Sequence, residues 1–143
     1  MRPENFQVES SIYLQQGGRD FDLHGDYAFV AFSYSVAERV AELSWRLETG
    51  DRIPSDMPTG LVLSCRGVTH LSATGRDPEM PFTEDDCLSE LCFKVADGSF
   101  EHTFVASSAA ETFDSSWHWV FSFMSGFTLR VAGDTAHLST QEA

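Results

Sequence analysis

The stretch from Asp26 to Gly50 constrains the fold more than any other part of the chain, because its two halves carry different strand patterns. Its first half, residues 27–34, is rich in aromatic side chains and contains no charged residue, a composition typical of strands. In the second half Ala41, Leu43, Trp45 and Leu47 alternate with polar residues. Alternation with period two predicts a strand that buries one face.

A helix over residues 36–48 is the competing interpretation of the second half. Ser35 followed by Glu38 fits a capping box, and apolar residues also recur at helical spacing. On that helix Trp45 would lie almost opposite the apolar stripe and would point its large side chain at water. A strand buries Trp45, so we predict a hairpin with its turn at residues 36–39, although the turn lacks the glycine or asparagine that tight hairpins prefer.

The aromatic side chains of the first strand raise the question of what covers them. Under strict alternation Tyr27 and Phe29 lie on one face of the strand, and Phe32 and Tyr34 lie on the other. We expect both faces to be covered by other parts of the protein. An exposed aromatic face that forms a homodimer is the alternative.

The other apolar segments are short and are separated by turn signals such as Gly17-Gly18 and Ser125-Gly126. One of these segments, residues 100–105, is predicted to be a strand. We predict a mainly β chain with about 8–10 short strands and at most one or two short helices, arranged as an antiparallel β-sandwich or a partly closed β-barrel. The alternative fold class is α+β, with the helix at residues 36–48 packed on an antiparallel sheet. Residues 1–143 are expected to form one globular domain.

The net charge of the chain indicates which classes of macromolecule it can bind. The chain has 22 acidic and 9 basic residues, which gives a formal net charge of −13. Such a charge repels phosphate backbones and disfavours nucleic-acid binding, whereas it accelerates encounter with a basic protein. Solubility alone is the simpler explanation of the same charge.

Two further features bear on location. The sequence has no apolar run of the ~20 residues that a membrane-spanning helix needs, and its first residues do not resemble a secretion signal. Cys65, Cys87 and Cys92 leave one thiol unpaired in any scheme of disulfides. We therefore expect reduced thiols in the cytoplasm and no membrane partner.

Residues 76–86 form the most unusual segment, because five acids, an arginine and two prolines fall within it. Prolines stiffen a loop, and a stiff loop loses little entropy when it binds a partner. We predict that this segment binds a partner protein through the following side chains: Arg76, Asp77, Glu79, Met80, Phe82, Glu84, Asp85 and Asp86. The alternative is a purely structural role, in which Thr83 caps a short helix that runs to about Glu90.

Residues that would carry catalysis are not evident. The five histidines are not spaced as metal ligands, and the chain has neither a Gly-x-Ser-x-Gly nucleophile motif nor a phosphate-binding loop. The sequence thus predicts no catalytic, metal-binding or cofactor-binding residue. Each histidine is expected to be a strand residue with a local hydrogen bond.

These observations favour a non-enzymatic protein-binding module, and an immunity-type inhibitor of a basic protein is one concrete form of it. The alternative is a small-molecule-binding β-barrel protein or enzyme. Its pocket would be lined by three aromatic side chains, Trp45, Trp117 and Trp119.

Overall fold

The computed structural model describes residues 1–97 and 102–142, and its regular structure is almost entirely β. In that part of the chain the helical structure is one short 3-10 turn at Phe82–Asp85, and no helix has the length and apolar character to cross a membrane. The strands are β1 Arg2–Pro3, β2 Gln7–Val8, β3 Tyr13–Gln16, β4 Arg19–Asp22, β5 Tyr27–Ser35, β6 Val40–Leu47, β7 Gly60–Arg66, β8 His70–Thr74, β9 Leu88–Lys94, β10 His118–Phe123, β11 Thr128–Ala132 and β12 Thr135–Gln141.

The strands form three sheets. A five-stranded sheet has the order β1-β12-β7-β6-β5, a four-stranded sheet has the order β8-β11-β10-β9, and β2-β3-β4 form a small third sheet. Neighbouring strands are antiparallel except for the short parallel pair β1 and β12. The predicted mainly β, antiparallel fold is confirmed, and the alternative α+β fold is wrong. The sheets of the described residues do not close into a barrel and are consistent with a β-sandwich.

Aromatic side chains hold the two larger sheets together. Phe29 of the five-stranded sheet and Phe123 of the four-stranded sheet have ring centroids 4.7 Å apart, and Trp45 lies 6.1 Å from Phe121. Each ring buries a large apolar area, and tilted or edge-on contacts add to that stabilisation. The alternating residues of both sheets therefore meet in an aromatic core.

The hairpin predicted from residues 26–50 is present as β5 and β6, and the alternative helix over residues 36–48 is wrong. Trp45 is 2% exposed, so its burial outweighs the helical spacing of the same segment. The turn needs no glycine because Arg39 itself adopts a φ of 54°. Its carbonyl accepts a 3.0 Å hydrogen bond from the Val68 N–H, and its guanidinium donates to the Gly67 and Val68 carbonyls.

A β-bulge in β5 overturns the expected division of its aromatic side chains. The pairing with β6 shifts between Phe29 and Ala31, and the intervening Val30 is an extra residue. Beyond the bulge Phe32 pairs with Leu43 and Tyr34 pairs with Ala41. Paired residues share a face, so Phe32 and Tyr34 lie on the core side with Tyr27 and Phe29. The opposite face therefore carries no aromatic ring. Its paired residues Ala28, Ala31 and Ser33 are small, and Ala28 is buried whereas the other two are exposed.

Two further predictions, a short helix from Thr83 and a strand at residues 100–105, have different outcomes. The short helix from Thr83 to about Glu90 is wrong, because the 3-10 turn ends at Asp85 without a side-chain cap and Leu88–Lys94 is a strand. The strand expected at residues 100–105 falls partly on residues 100 and 101, which lie outside the described residues. Within the described part, Phe104 makes an isolated bridge to Phe93.

Deletion of Val30 tests the bulge. We expect the variant to fold with a free energy of unfolding within about 1 kcal/mol of the unmodified protein, the range of changes that leave the core intact. The reason is that the shortened strand, under strict alternation, still places Tyr27, Phe29, Phe32 and Tyr34 on the core face. Urea unfolding followed by tryptophan fluorescence measures the change.

Deletion of Ala28 from the same strand is the matched control. With the bulge kept it would turn Tyr27, which is 1% exposed, away from the core, and with the bulge lost it would turn Phe29 away, so in both cases we expect a loss of about 3 kcal/mol or more. Equal losses for the two deletions would show that Val30 is not a dispensable insertion.

Candidate functional site

Residues 76–86, which we call the acidic loop, are fastened to the turn between β10 and β11. The Asp77 N–H donates a 2.8 Å hydrogen bond to the Ser125 carbonyl, and the Ser125 N–H donates a 3.2 Å hydrogen bond to the Glu84 carbonyl. Ser125 is fully buried, and the next residue, Gly126, has a φ of 86° that favours glycine. Both halves of the loop are therefore held by one buried turn.

Arg76 is the internal clamp of the acidic loop. Its Nε donates a 2.7 Å hydrogen bond to Asp85 Oδ1, and its Nη2 donates to the carbonyls of Met80 and Pro81 at 2.5 and 3.0 Å. The guanidinium also lies 4.6 Å from the centre of the Phe82 ring, within cation–π range. The hydrogen bond from Arg76, together with one from Ser125, lowers the pKa of Asp85. Arg76 thus shapes the loop, and most of its donors are already used.

The structure separates the predicted partner-binding residues into two groups. Arg76 and Asp85 bond to each other inside the loop. The other six face outward to differing degrees: Phe82 is 81% exposed, Asp77 and Glu79 are exposed, and Met80, Glu84 and Asp86 are half-buried. The outward-facing acids and the Phe82 ring are the side chains that a partner would meet first.

The acidic loop and β5 border a common groove. The Phe29 N–H, directed away from β6, donates a 2.8 Å hydrogen bond to the Asp86 carbonyl and so ties the strand to the end of the loop. The resulting groove, which we call the β5 groove, has a volume of about 510 Å³. Its lining residues are Phe29, Val30, Ala31, Phe32, Arg76, Phe82, Asp85, Asp86 and Phe127.

Large apolar side chains remain exposed along this groove and beyond it. Val30 is 57% exposed, and Phe32 and Tyr34 are each 39% exposed, although both rings lie on the core-facing side of the sheet. They are exposed because β5 is the last strand of its sheet. The sequence allows an exposed aromatic face as an alternative, but strict alternation places Phe32 and Tyr34 opposite Tyr27 and Phe29, because it gives no signal for the bulge.

A cysteine and a histidine meet beside the acidic loop, but they do not form a nucleophilic pair. Cys87 Sγ lies 3.6 Å from His24 Nδ1, which is also 2.7 Å from the Leu88 carbonyl. A carbonyl only accepts, so Nδ1 carries the proton and cannot take one from the thiol. Burial, with the charges of Glu84 and Asp86 adding to it, raises the pKa of Cys87 and keeps the thiol protonated.

Two histidines meet on the four-stranded sheet. The rings of His70 and His118 have centroids 4.9 Å apart, and Arg130 Nε donates a 2.8 Å hydrogen bond to His118 Nδ1. Burial, followed by the positive charge of Arg130, lowers the pKa of His118 to about 4, and the same two causes lower the pKa of His70. Within residues 1–97 and 102–142, no three side chains are grouped to hold a metal ion.

The three tryptophans that the pocket hypothesis named are placed in or against the core. Trp45 and Trp119 are almost fully buried, and Trp119 packs edge-on against Phe6 and Phe93. Trp117 is half-buried against Phe93 and Phe104. A solid aromatic core weighs against an interior ligand cavity lined by these rings.

Replacement of Arg76 by glutamine tests the clamp. We expect the pKa of Asp85 to rise toward its ordinary value of 3.8, because the hydrogen bond from Arg76 is the main cause of its lowering. Carboxyl-detected NMR titration measures this change. Arg46→Gln, which alters an exposed arginine of β6, is the control and should leave Asp85 unchanged.

The hydrogen bond between Arg76 and Asp85 also makes the stability of the fold depend on pH in a predictable direction. A carboxyl whose pKa is lower in the folded state stabilises the fold above its ordinary pKa, and that contribution is lost as the pH falls through the folded-state value. The stability advantage of the unmodified protein over Arg76→Gln should therefore shrink as the pH is lowered from 5 toward about 2. A constant difference would contradict the clamp.

Replacement of His118 by glutamine tests the histidine pair. The pKa of His118 is about 4 in the folded state and 6.5 ordinarily. Between these two pH values His118 is therefore protonated in the unfolded chain and neutral in the folded protein. Its facing charges, Arg130, His70 and Lys94 and the Met1 amino group, all act in this direction. Stability should fall as the pH drops from 6.5 to 4, and His118→Gln should flatten that slope in urea-unfolding series. An unchanged slope would contradict the assignment.

No protein-family model matches the chain, and no match was found among the curated proteins or the solved structures. What can be inferred about function therefore comes from the chain's own residues. The β5 groove and the acidic loop are the surface on which exposed apolar side chains, a free strand edge and acidic groups come together.

Proposed function

We propose that the chain is a non-enzymatic protein-binding module that docks a basic partner protein on the β5 groove and the acidic loop. The observation that carries the proposal is the exposed apolar rim of the groove, formed by Val30, Phe32 and Phe82, beside the acids of the loop. Exposed apolar surface bordered by charge is characteristic of interaction sites.

The edge position of β5 supports this proposal. Edge strands of monomeric proteins usually carry charged residues or prolines that prevent pairing with other chains. The sequence of β5, Tyr27–Ser35, contains neither. Only its first part is covered, by the hydrogen bond from Phe29 to Asp86. The second part is an unprotected apolar edge of the kind that a partner covers.

Charge selects the class of partner. Asp77 and Glu79 are exposed and Glu84 and Asp86 are half-buried beside the groove, while Arg76 is already engaged by Asp85. A second copy of a chain with a net charge of −13 would bring like charges together at this rim. A basic surface would be attracted to it. Inhibition of a basic protein, the immunity-type role expected from the sequence, is one form of such docking.

A small molecule is the second candidate for the groove. Its volume of about 510 Å³ lies within the range of ligand sites. However, the polar groups that would orient a ligand, Arg76 and Asp85, bond to each other. The groove consequently offers apolar surface with few free specific donors, which suits a protein chain better.

We also propose that the protein works in the cytoplasm. Cys65 and Cys92 are buried free thiols, and Cys87 is half-buried and free as well. Burial raises the pKa of Cys65 to about 12 and that of Cys92 to about 11. Unpaired thiols are characteristic of reducing compartments.

Affinity capture from the native host with two matched charge variants tests the function. The loop variant is Glu79→Gln, Glu84→Gln and Asp86→Asn, which spares Asp85 because Arg76 needs it. The control variant, Glu9→Gln, Asp51→Asn and Asp56→Asn, changes the net charge equally at exposed positions elsewhere. Bound proteins are identified by mass spectrometry at low and physiological salt.

We expect one basic protein to be captured by the unmodified protein and by the control variant. The loop variant should capture about tenfold less, since rim charges act on association, and physiological salt should reduce capture by all three. Both variants should unfold at the same urea concentration. Equal capture by the loop and control variants would refute the proposal.

A further inference from the structure

We infer that the partner contributes an extended basic segment that binds as an added strand on β5, pairing with the backbone of Phe32 and Tyr34. The inference rests on the proposed function and specifies how the docking occurs. An added strand obtains affinity from main-chain hydrogen bonds and specificity from alternate side chains.

The direction of the backbone groups follows from the pairing of β6. The Leu47 N–H donates to Thr59 at 2.9 Å, on the side of β6 away from β5, and backbone groups alternate in direction along a strand. Trp45, Leu43 and Ala41 therefore also direct their backbone toward β7, with which all three are paired. The β5 residues that pair with these three therefore direct their own N–H and C=O groups to the free edge of the sheet.

Those partners are Phe29, Phe32 and Tyr34. The Phe29 N–H is accounted for, because it donates to Asp86. Phe32 and Tyr34 lie beyond the point where the acidic loop covers the strand, and β5 has no further strand beside it in the described sheets. The bulge at Val30 divides the edge into a covered part and an open part.

The side chains around the open edge define the chemistry of the segment. On one face it would meet the rings of Phe32 and Tyr34, each 39% exposed, so apolar side chains suit that face. On the other face Ala31 and Ser33 are small, and Ser33 is paired with the exposed Glu42. A lysine or arginine on that face can extend across these small residues toward the carboxylate. Alternating apolar and basic residues match both faces.

Charges at the two ends of the open edge favour the same segment. The acidic loop, with Glu84 and Asp86, lies at one end, and the β5–β6 turn with the exposed Glu38 lies at the other. Arg39 of that turn donates to the Gly67 and Val68 carbonyls instead of facing the edge. A second copy of the chain paired through β5 would bring its own acidic loop and its own Glu38 to this edge, so a basic segment is the occupant we assign.

The test uses an acetylated and amidated peptide of four Lys-Val repeats and full-length protein labelled with ¹⁵N. Amide hydrogen exchange and chemical shifts are measured with and without the peptide. A peptide of the same sequence that is N-methylated throughout its backbone is the matched probe, because it keeps the side chains and charge but lacks the donors of a strand. We expect the exchange of the Phe32 and Tyr34 amides to slow by about tenfold with the first peptide only.

Three other outcomes overturn the inference in different ways. If both peptides shift the signals of Phe82 and Asp86 equally and protect neither strand amide, strand addition is refuted and the docking function stands. If neither peptide shifts any signal of the groove, the basic extended segment is refuted, and the capture experiment decides the docking function separately. If the two amides are already protected in the free protein and lose protection on dilution, the occupant is a second copy and the basic segment is refuted.

Two substitutions of Tyr34 separate the contribution of its backbone N–H to peptide binding from that of its side chain. Tyr34→Ala removes the ring and keeps the outward N–H, whereas Tyr34→Pro removes both, and an edge strand accepts proline where its N–H faces solvent. We expect Tyr34→Pro to bind the Lys-Val peptide about three- to tenfold more weakly than Tyr34→Ala, the value of one hydrogen bond. Equal affinities, with both variants folded by circular dichroism, would refute pairing at this residue.

Discussion

The bulge at Val30 is the feature on which the arrangement of β5 depends. A strand has a side-chain period of two, so Tyr27 and Phe29 share a face with Phe32 and Tyr34 only if one residue is left out of the count. With all four rings on the core side, Phe29 reaches Phe123 of the opposing sheet, and the outer face keeps only small side chains. The two sheets can then pack around an aromatic core, while the edge of β5 stays open.

The acidic loop turns this edge into a bordered groove. Arg76 fills the centre of the loop, where it bonds to Asp85 and to two carbonyls and packs against Phe82. Arg76 supplies the hydrogen bonds to the acceptors inside the loop, and the acids other than Asp85 face outward beside exposed apolar surface. Stiffness, apolar area and negative charge thus occur together at one place, and together they support the docking that we propose, with the negative charge selecting a basic partner.

Two histidines lie beside groups with which they could exchange protons, and in both cases a local hydrogen bond explains the contact. The Cys87 thiol lies beside His24, but the imidazole nitrogen facing it donates to the Leu88 carbonyl. His118 accepts from Arg130 and is kept neutral by burial and by that charge. These contacts are local hydrogen bonds within the fold.

The sequence by itself determined the fold class, the β5–β6 hairpin and the burial of Trp45, because alternation of apolar residues is a local property with a fixed period. It also singled out residues 76–86 through their charge and prolines. Only the tertiary structure decided that Arg76 and Asp85 bond inside the loop, that the aromatic side chains of β5 share one face, and that β5 is an edge strand. Bulges, strand order and long-range contacts depend on residues far apart in the chain, and no local pattern records them.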